Sequence, residues 1–336
     1  MIKILMAGSP CTFWSNARKS GRETEPSGLG WDLFKNYVIA KEKFNPDFFF
    51  YENNQSINPS IKKAISNALG VSNFTINAAL VSAQHRQREY WFNWQVNQPE
   101  DMNIDPKSIL DDENGYIINA CSNGKVRTLK AGYYKSSNAN FITNGGHSAT
   151  GVAIPINPAQ CLSLYDENGK RRKNKGNIAY KVEDGYIDVD GEKYQIDLPD
   201  GYYIIRKLTP EECEKIQTLR PGYTNVGISP THRYMGIGNG WCANVVEYIL
   251  NEVLKNVQKD EEIVVLSLYD GIGTGRYVLD KLGFTNIKYF AYEIEPTAIK
   301  VSTTNYPDII QMGDAFGVRE EGWLNTLQNK MIEVTI

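Results

Sequence analysis

With 336 residues, 41% of them hydrophobic, the chain is long enough for one large globular domain and a second, smaller one. No apolar run is long enough to cross a membrane, and the five cysteines and three histidines form no pattern typical of a disulfide scaffold or a zinc site. The formal net charge of −3 neither indicates nor excludes a nucleic-acid partner, because a basic groove can lie on an acidic protein.

Residues 1–94 alternate between strand and helix patterns. The apolar run at 2–6 predicts a buried strand that enters the tight loop AGSPC, and the polar residues 12–30 predict a mobile loop. We predict helices at 31–42 and 61–69, and strands at 48–51, 75–82 and 89–94. These elements form the first part of an α/β domain.

Residues 95–202 have a different character. They are rich in Asn, Gly, Asp and Tyr and contain short alternating runs such as VRTLKAGYY and GYIDVDGEKYQIDL, which predict a small β-rich inserted domain. The basic run KRRKNK, at 170–175, is typical of a solvated hairpin tip, and the alternative is a phosphate contact by Lys170, Arg171 and Arg172.

Residues 203–336 return to an α/β pattern. A helix is predicted at 209–219, with Thr209 as its N-cap and Pro210 as its first residue, and another at 243–256. The remaining residues alternate strand and helix, which predicts βαβ units and a mostly parallel sheet covered by helices on both faces.

Acidic residues follow three successive predicted strands of this last part, namely Asp270, Glu293 and Asp314. Asp270 lies in the glycine-rich turn YDGIGTG, at 269–275, where backbone N–H groups and a helix N-terminus can approach a ligand. Because ligands bind at the carboxyl edge of an open α/β sheet, Glu293 is expected to accept hydrogen bonds from ribose hydroxyls and Asp314 from an adenine amino group. A structural turn with surface acids is the plain alternative.

Two nucleoside cofactors are compatible with this pattern. The glycines are spaced Gly-x-Gly-x-Gly rather than Gly-x-Gly-x-x-Gly, and Asp270 would repel the pyrophosphate of NAD. S-adenosylmethionine has no phosphate and carries an ammonium group. The pattern therefore favours a methyl donor over a dinucleotide, and an NAD-dependent oxidoreductase is the less favoured alternative.

Reactive side chains are concentrated in the first ninety-four residues. Cys11 directly follows the first strand, where a thiolate can act as a nucleophile. Glu52 ends the next strand after a run of apolar and aromatic residues, which should raise the pKa of its carboxyl and suit it to donate a proton. Arg86 and Arg88, in QHRQR, point the same way in an extended backbone and suit a carbonyl oxygen and a phosphate. Each of these residues, taken singly, has a plain structural explanation.

Together these motifs resemble the cytosine-C5 DNA methyltransferase family over most of the chain outside 95–202. AGSPC is similar to the Pro-Cys motif, YEN to the Glu-Asn-Val motif, and QHRQR to the Gln-x-Arg-x-Arg motif. RKLTPEEC resembles the motif that supports the target-recognition domain, GIGNGW the Gly-Asn motif, and LYDGIGTG with Glu293 and Asp314 the three cofactor motifs. The wording of GSPC, SAQHRQREYW and LYDGIGTG looks most like the eukaryotic de novo DNA methyltransferases.

The order of the motifs departs from the family. The cofactor motifs usually come first and here come last, so the resemblance implies a circularly permuted chain. Three residues also differ: Tyr269 replaces the commoner Phe, Thr12 replaces Gln, and Asn54 stands where Val is usual. No catalytic group is lost, and an active enzyme is expected.

The resemblance implies a Rossmann-like methyltransferase fold and a cytosine that is flipped out of duplex DNA. Cys11 would attack C6, Glu52 would hydrogen-bond N3, and Arg88, assisted by Arg86, would hold O2 or position the thiol. S-adenosylmethionine would be bound by Tyr269, Asp270, Gly271, Ile272, Gly273, Thr274, Gly275, Glu293, Ile294, Asp314, Ala315, Asn239, Gly240 and Trp241. The loop at 12–30 would contact DNA phosphates through Ser15, Arg18, Lys19 and Arg22, and 95–202 would read bases.

Two other activities remain open on the same scaffold, an RNA cytosine-C5 methyltransferase and a non-catalytic DNA-binding homologue. The expected partner is double-stranded DNA, with or without a companion restriction endonuclease, and the sequence sets no oligomeric state. The cysteines, odd in number and without paired spacing, favour a reducing compartment, so we expect a cytoplasmic protein of a bacterial or virus-infected cell.

Overall fold

The structure, a computed structural model, describes residues 1–16, 20–143, 149–157, 179–189 and 191–333. Its strands, in chain order, are β1 (Ile2–Ala7), β2 (Phe48–Asn54), β3 (Phe74–Asn77), β4 (Gln87–Phe92), β5 (Tyr116–Ile118), β6 (Gly151–Pro155), β7 (Ala179–Glu183), β8 (Tyr186–Val189), β9 (Glu192–Gln195), β10 (Gly201–Lys207), β11 (Ile263–Leu268), β12 (Ile287–Tyr292) and β13 (Ile309–Gly313).

The α-helices of the same residues are α1 (Gly28–Phe44), α2 (Pro59–Leu69), α3 (Asn138–Thr143), α4 (Pro210–Ile216), α5 (Pro230–Asn239), α6 (Ala243–Leu254), α7 (Thr274–Lys281), α8 (Pro296–Asn305) and α9 (Trp323–Glu333). Within the described ranges no helix has the length and apolar character that a membrane span requires. These residues also contain no cluster of three potential metal ligands.

The larger sheet has seven strands in the order β13-β12-β11-β1-β2-β4-β3. From β13 to β2 every neighbouring pair is parallel, and β4 runs antiparallel to both β2 and β3. The central strands β1 and β11 pair in register from Ile2 opposite Ile263 to Ala7 opposite Leu268. Apart from Lys3 and Ser267 both strands are apolar, because both faces of the sheet are covered. The expected mixed, mainly parallel α/β sheet is confirmed.

Helices cover both faces of this sheet. On one face the core contains Ile249 of α6, Val278 of α7 and Val301 of α8, and on the other it contains Phe34 of α1, with α2 and α9 beside it. Most predicted helices in these regions are present, with boundaries shifted by a few residues. The start of α4 is a capping box, in which the Thr209 hydroxyl and the Glu212 carboxylate bond each other's backbone N–H groups.

The smaller sheet has six antiparallel strands in the order β5-β6-β10-β7-β8-β9 and its own hydrophobic core. The hairpin β8–β9 comes from the alternating run GYIDVDGEKYQIDL, as its pattern predicts. Since β10 ends at Lys207, the sheet extends a few residues beyond 202. The basic run at 170–175, with Lys170, Arg171 and Arg172, lies outside the described residues.

Three local predictions were wrong. The strand predicted at 75–82 ends at Asn77, because the Asn77 side chain accepts hydrogen bonds from the backbone of Ala79 and Arg86 and turns the chain into a 3-10 helix. The run VRTLKAGYY contains a 3-10 helix, Ala131–Lys135, rather than a strand. Strand β2 also continues past Glu52 to Asn54, so Glu52 lies within the strand.

Candidate active site

A cavity of about 300 Å³ opens at the carboxyl ends of β1, β2, β11 and β12. It brings together residues from opposite ends of the chain, because β1 and β11 are neighbours in the sheet. The predicted site residues that line it are Cys11, Glu52, Arg86, Arg88, Asn239, Gly240, Trp241, Tyr269, Asp270, Gly271, Ile272, Thr274 and Glu293.

Cys11 lies at the mouth of this cavity. It is exposed and begins a short 3-10 helix, Cys11–Phe13, directly after the loop that leaves β1. The preceding Ser9 is held against β2, since its hydroxyl lies 2.5 Å from the Tyr51 hydroxyl and the Asn53 amide donates to the Ser9 carbonyl at 3.2 Å. This buried network positions the turn that presents the thiol.

Glu52 projects into the cavity from β2 and is only 8% exposed. Its Oε2 accepts from Trp241 Nε1 at 3.1 Å, and its Oε1 lies 3.1 Å from Arg88 Nε. Burial raises the pKa of the Glu52 carboxyl, while Arg88, Arg86 and the Trp241 bond act in the opposite direction. The rise that we expected from the apolar strand is therefore present.

The two arginines of QHRQR both line the cavity but have different partners. Arg88 faces Glu52 and also donates to the carbonyl of Gln87 at 2.8 Å. Arg86 is buried and donates to three backbone carbonyls, those of Leu129, Gly238 and Gly240, at 2.8, 3.1 and 2.9 Å. Burial lowers the pKa of Arg86 to about 10, which leaves it charged at neutral pH. Arg86 thus ties together three chain segments around the cavity.

Asp270 is the most deeply placed acid of the cofactor turn, at 7% exposure. Its Oδ1 accepts from the hydroxyls of Ser267 and Tyr289, both at 2.7 Å. Its Oδ2 is buried and has no hydrogen-bond partner among the described residues. Burial raises the pKa of Asp270 to about 6. A buried carboxylate oxygen without a donor beside a cavity is suited to an external cationic group.

Glu293 lines the same cavity from the end of β12. Its carboxylate accepts hydrogen bonds from three backbone N–H groups, Gly271 and Ile294 at 2.8 Å and Glu295 at 2.9 Å. Glu293 therefore shapes the turn that contains Gly271, in addition to any contact with a ligand.

Five predicted cofactor residues are not in the cavity lining that the described residues form. Gly273 and Gly275 lie behind it, at the start of α7, where a side chain at Gly275 would meet Met6 Sδ and Tyr289 Oη at 2.5 Å. Ile294 is 69% exposed beside the cavity. Asp314 follows β13 and accepts from the backbone of Phe316 at 2.9 Å, and Ala315 is buried next to it.

The GIGNGW segment forms the wall opposite the glycine-rich turn. Gly8, which follows β1, lies against this segment, and a Cβ added to it would be 2.7 Å from Trp241 Nε1 and 2.9 Å from Glu52 Oε2. At Gly236, an added Cβ would be 2.9 Å from Ile272. Small residues are needed here because the Cys11 loop, β2 and the cofactor turn converge on this wall.

The residues predicted to contact DNA are only partly described. Arg18 and Lys19 lie outside the described residues, as does the basic run of the smaller domain. Arg22 donates to the carbonyls of Trp14, at 2.9 Å, and Ser56, so it anchors the loop that follows Cys11. The Ser15 backbone donates to the Cys11 carbonyl at 2.9 Å.

Several cavity residues were not predicted from the sequence. Helix α5 was missed, although Ser229 and Pro230 provide a normal helix start, because the glycines at 236 and 238 weaken the helical pattern. It contributes His232 and Met235 to the cavity. The contact between the Ser9 and Tyr51 hydroxyls was missed as well, since nothing in the sequence shows that they meet.

Comparison with known proteins identifies the family of the chain. The family described as C-5 cytosine-specific DNA methylase matches residues 1–255, and the chain belongs to this family. The Type II methyltransferase M.Bsp6I of Bacillus sp. (strain RFL6) is 24% identical over 285 residues, which cover 76% of this chain and 79% of that protein. The chain is accordingly a DNA (cytosine-5) methyltransferase.

Among solved structures, a mutant of the DNMT2 protein of Spodoptera frugiperda is similar. It shares 14% sequence identity, with a TM-score of 0.43, and the match covers 75% of this chain and 79% of that one.

Proposed function

We propose that the chain transfers a methyl group from S-adenosylmethionine to C5 of a flipped-out cytosine in duplex DNA, through a covalent bond between Cys11 and the base. The observation that carries this proposal is the shared cavity, in which Cys11 from the first loop and Asp270 from the turn after β11 line one space. The attacking thiolate and the methyl donor must both reach the same cytosine ring for the reaction to occur.

The residues around the glycine-rich turn fit S-adenosylmethionine. The buried Oδ2 of Asp270 lacks a donor that the ammonium group of the cofactor would supply. Gly271 has a φ value of +62° and places backbone rather than a side chain against the cavity. Glu293 lies at the adjacent strand end, the position for ribose hydroxyls, and Ile294 and Ala315 would flank the adenine. Asp314 would accept from its amino group.

In the proposed mechanism, S-adenosylmethionine supplies an electrophilic methyl group. The Cys11 thiolate adds to C6 of the cytosine, which makes C5 nucleophilic. Protonated Glu52 donates a hydrogen bond to N3 and stabilises the charge that develops on the ring, and Arg88 holds O2. Arg86 positions the surrounding backbone. After methyl transfer, the C5 proton passes to a water molecule, the C5–C6 double bond re-forms, and the Cys11 thiolate leaves C6 and releases the base.

We further propose that the chain is a circular permutation of the family's usual order. The family match ends at residue 255, before the glycine-rich turn at 269–275, as it would if the cofactor segment had moved to the other end. The strand order supports the same proposal, because β1 lies directly between β11 and β2 in one sheet. The likeness of the motifs to eukaryotic de novo enzymes remains a prediction.

The smaller six-stranded sheet is proposed as the target-recognition domain, with domain boundaries near residues 94 and 202. In this proposal the loop after Cys11 closes on DNA and Arg22 orders it. A companion restriction endonuclease is compatible with the bacterial Type II relative.

Methyl incorporation into duplex DNA, compared with structured RNA and measured with the same enzyme preparation, separates the DNA activity from an RNA activity.

The nucleophile is tested by Cys11→Ser. We expect methyl transfer to DNA to be abolished in a tritiated-methyl assay, because a serine hydroxyl is a far weaker nucleophile than a thiolate. S-adenosylmethionine binding, measured by calorimetry, should be unchanged. Cys121→Ser, which alters a half-buried thiol outside the cavity, is the matched control and should retain activity. Turnover by the Cys11 variant would refute the assignment.

A further inference from the structure

The side chain of Tyr269 connects the cofactor turn to helix α1. Tyr269 lines the cavity, and its hydroxyl donates to the Leu33 carbonyl at 2.8 Å and accepts from Asn36 Nδ2 at 3.2 Å. Burial raises the pKa of Tyr269 above its ordinary value, so the hydroxyl keeps its proton. The backbone of Tyr269 has a φ of +60°, an unfavourable conformation for a side chain of this size. The two hydroxyl bonds help to hold the residue there.

Asn36 continues this connection inside the helix. It is completely buried, and its Oδ1 accepts from Arg319 Nε at 2.5 Å, while Arg319 also donates to the Asp32 carbonyl at 2.8 Å. The Asn36 amide therefore joins the Tyr269 hydroxyl to Arg319, which contacts the face of α1 that contains Asp32 and Asn36. A buried chain of satisfied polar groups is rigid, because moving one member leaves another without a partner.

The first turn of the same helix supports the Cys11 turn. The Glu23 carboxylate accepts from Trp14 Nε1 at 2.9 Å and from the Gly30 backbone at 3.3 Å. A Cβ added at Gly30 would lie 2.6 Å from Trp14 Nε1 and 2.9 Å from Phe13 Cβ, so the helix and the turn are in direct contact. The backbone N–H of Trp14 in turn donates to the Cys11 carbonyl at 3.1 Å.

We propose that the Tyr269 hydroxyl is a positioning group for Cys11, acting through Asn36 and helix α1, and that it couples occupation of the cofactor turn to the ordering of the nucleophile's turn. This inference rests on the proposed function of both residues. By linkage, an ordered Cys11 turn favours cofactor binding to the same extent.

The coupling is tested by hydrogen exchange, read by mass spectrometry with and without S-adenosylhomocysteine. In the unaltered protein, the ligand should slow exchange of the segment 11–23 about fivefold to tenfold, the equivalent of one added hydrogen bond. Tyr269→Phe removes only the hydroxyl and should abolish this protection, while protection of the turn at 269–275 remains. The same variant should lower kcat about tenfold with little change in the affinity for S-adenosylmethionine.

Two further variants complete the experiment. Asn36→Ala breaks the connection at a residue outside the cavity lining and should also abolish protection of 11–23. Tyr203→Phe is the matched control, since it removes a hydroxyl that donates to the Pro199 carbonyl at 2.7 Å in the smaller sheet, and it should behave like the unaltered protein.

Retained protection of 11–23 in Tyr269→Phe or in Asn36→Ala overturns the proposal. So does loss of protection at 269–275 itself in Tyr269→Phe, because Tyr269 would then act only as a cofactor contact. Hydrogen exchange requires no turnover, so these results are independent of whether Cys11 proves to be the nucleophile.

Discussion

The buried carboxylate of Asp270 leads to a prediction about both stability and cofactor binding. Its pKa rises from 3.8 to about 6, because it is buried and because Glu293 is nearby, while the Tyr289 and Ser267 hydrogen bonds act in the opposite direction. Such a rise corresponds to about 3 kcal/mol by which the folded protein disfavours the charged form. In the absence of cofactor, Asp270 should therefore destabilise the protein at neutral pH.

The sign of the pH dependence follows from linkage. A carboxyl whose pKa is higher in the folded state binds more protons there, so stability falls as pH rises from about 4 to about 6 and is constant above. Asp270→Asn removes this dependence. It also introduces a buried amide whose N–H groups need partners, at a pH-independent cost of about 1–3 kcal/mol. The difference between the two proteins should thus change by about 2 kcal/mol between pH 4.5 and pH 7.5, in favour of the variant at the higher pH.

The measurement is equilibrium unfolding in urea at both pH values, without cofactor. Asp260→Asn, at an exposed position before β11, is the control and should follow the unaltered protein. Calorimetry at pH 7.5 should show that Asp270→Asn binds S-adenosylmethionine more weakly by about tenfold to a hundredfold, because a charge-assisted bond is lost. Parallel pH dependence of the two proteins would refute the reasoning about burial, and unchanged affinity would reject the proposed pocket.

Three further predictions concern the wall around Glu52. Trp241→Phe removes the hydrogen bond from Trp241 Nε1 that favours the charged form of Glu52, so the pKa of Glu52 should rise. The alkaline limb of the pH profile of kcat/KM should then move to higher pH, and a shift to lower pH would contradict this. Gly8→Ala should lower kcat at least about tenfold without unfolding the protein, because the added Cβ overlaps Trp241 and Glu52. Unaltered kinetics would show that these two side chains can move to accommodate the Cβ. Arg86→Lys should lower the free energy of unfolding, measured in urea, by about 1–3 kcal/mol, since an ammonium group cannot reach all three carbonyls that the guanidinium contacts. Equal stability would show that these three hydrogen bonds contribute little.

Local patterns were sufficient for most of the large sheet. The apolar runs at β1, β11 and β12 identify buried strands because a strand covered on both faces needs continuous apolar residues. Thr209 and Pro210 identify the start of α4 because a helix start has its own chemical requirements. The failures occur where a side chain overrides the pattern, as Asn77 does when it ends β3.

In the candidate site, too, some features were predicted from local sequence and others were not. Cys11, Glu52 and Asp270 were predicted from their neighbours in the sequence, because each follows or ends an apolar strand. The Trp241 bond to Glu52 and the three carbonyl partners of Arg86 were not, since these contacts join residues more than forty positions apart.

The sequence by itself predicted which residues would carry the chemistry, since motif spacing and apolar periodicity are local properties of the chain. Only the tertiary structure decided that its two ends share one cavity and that Tyr269 reaches α1. The physical reason is that strand pairing and buried hydrogen bonds depend on which surfaces meet after folding, and residues distant in the chain do not record this locally.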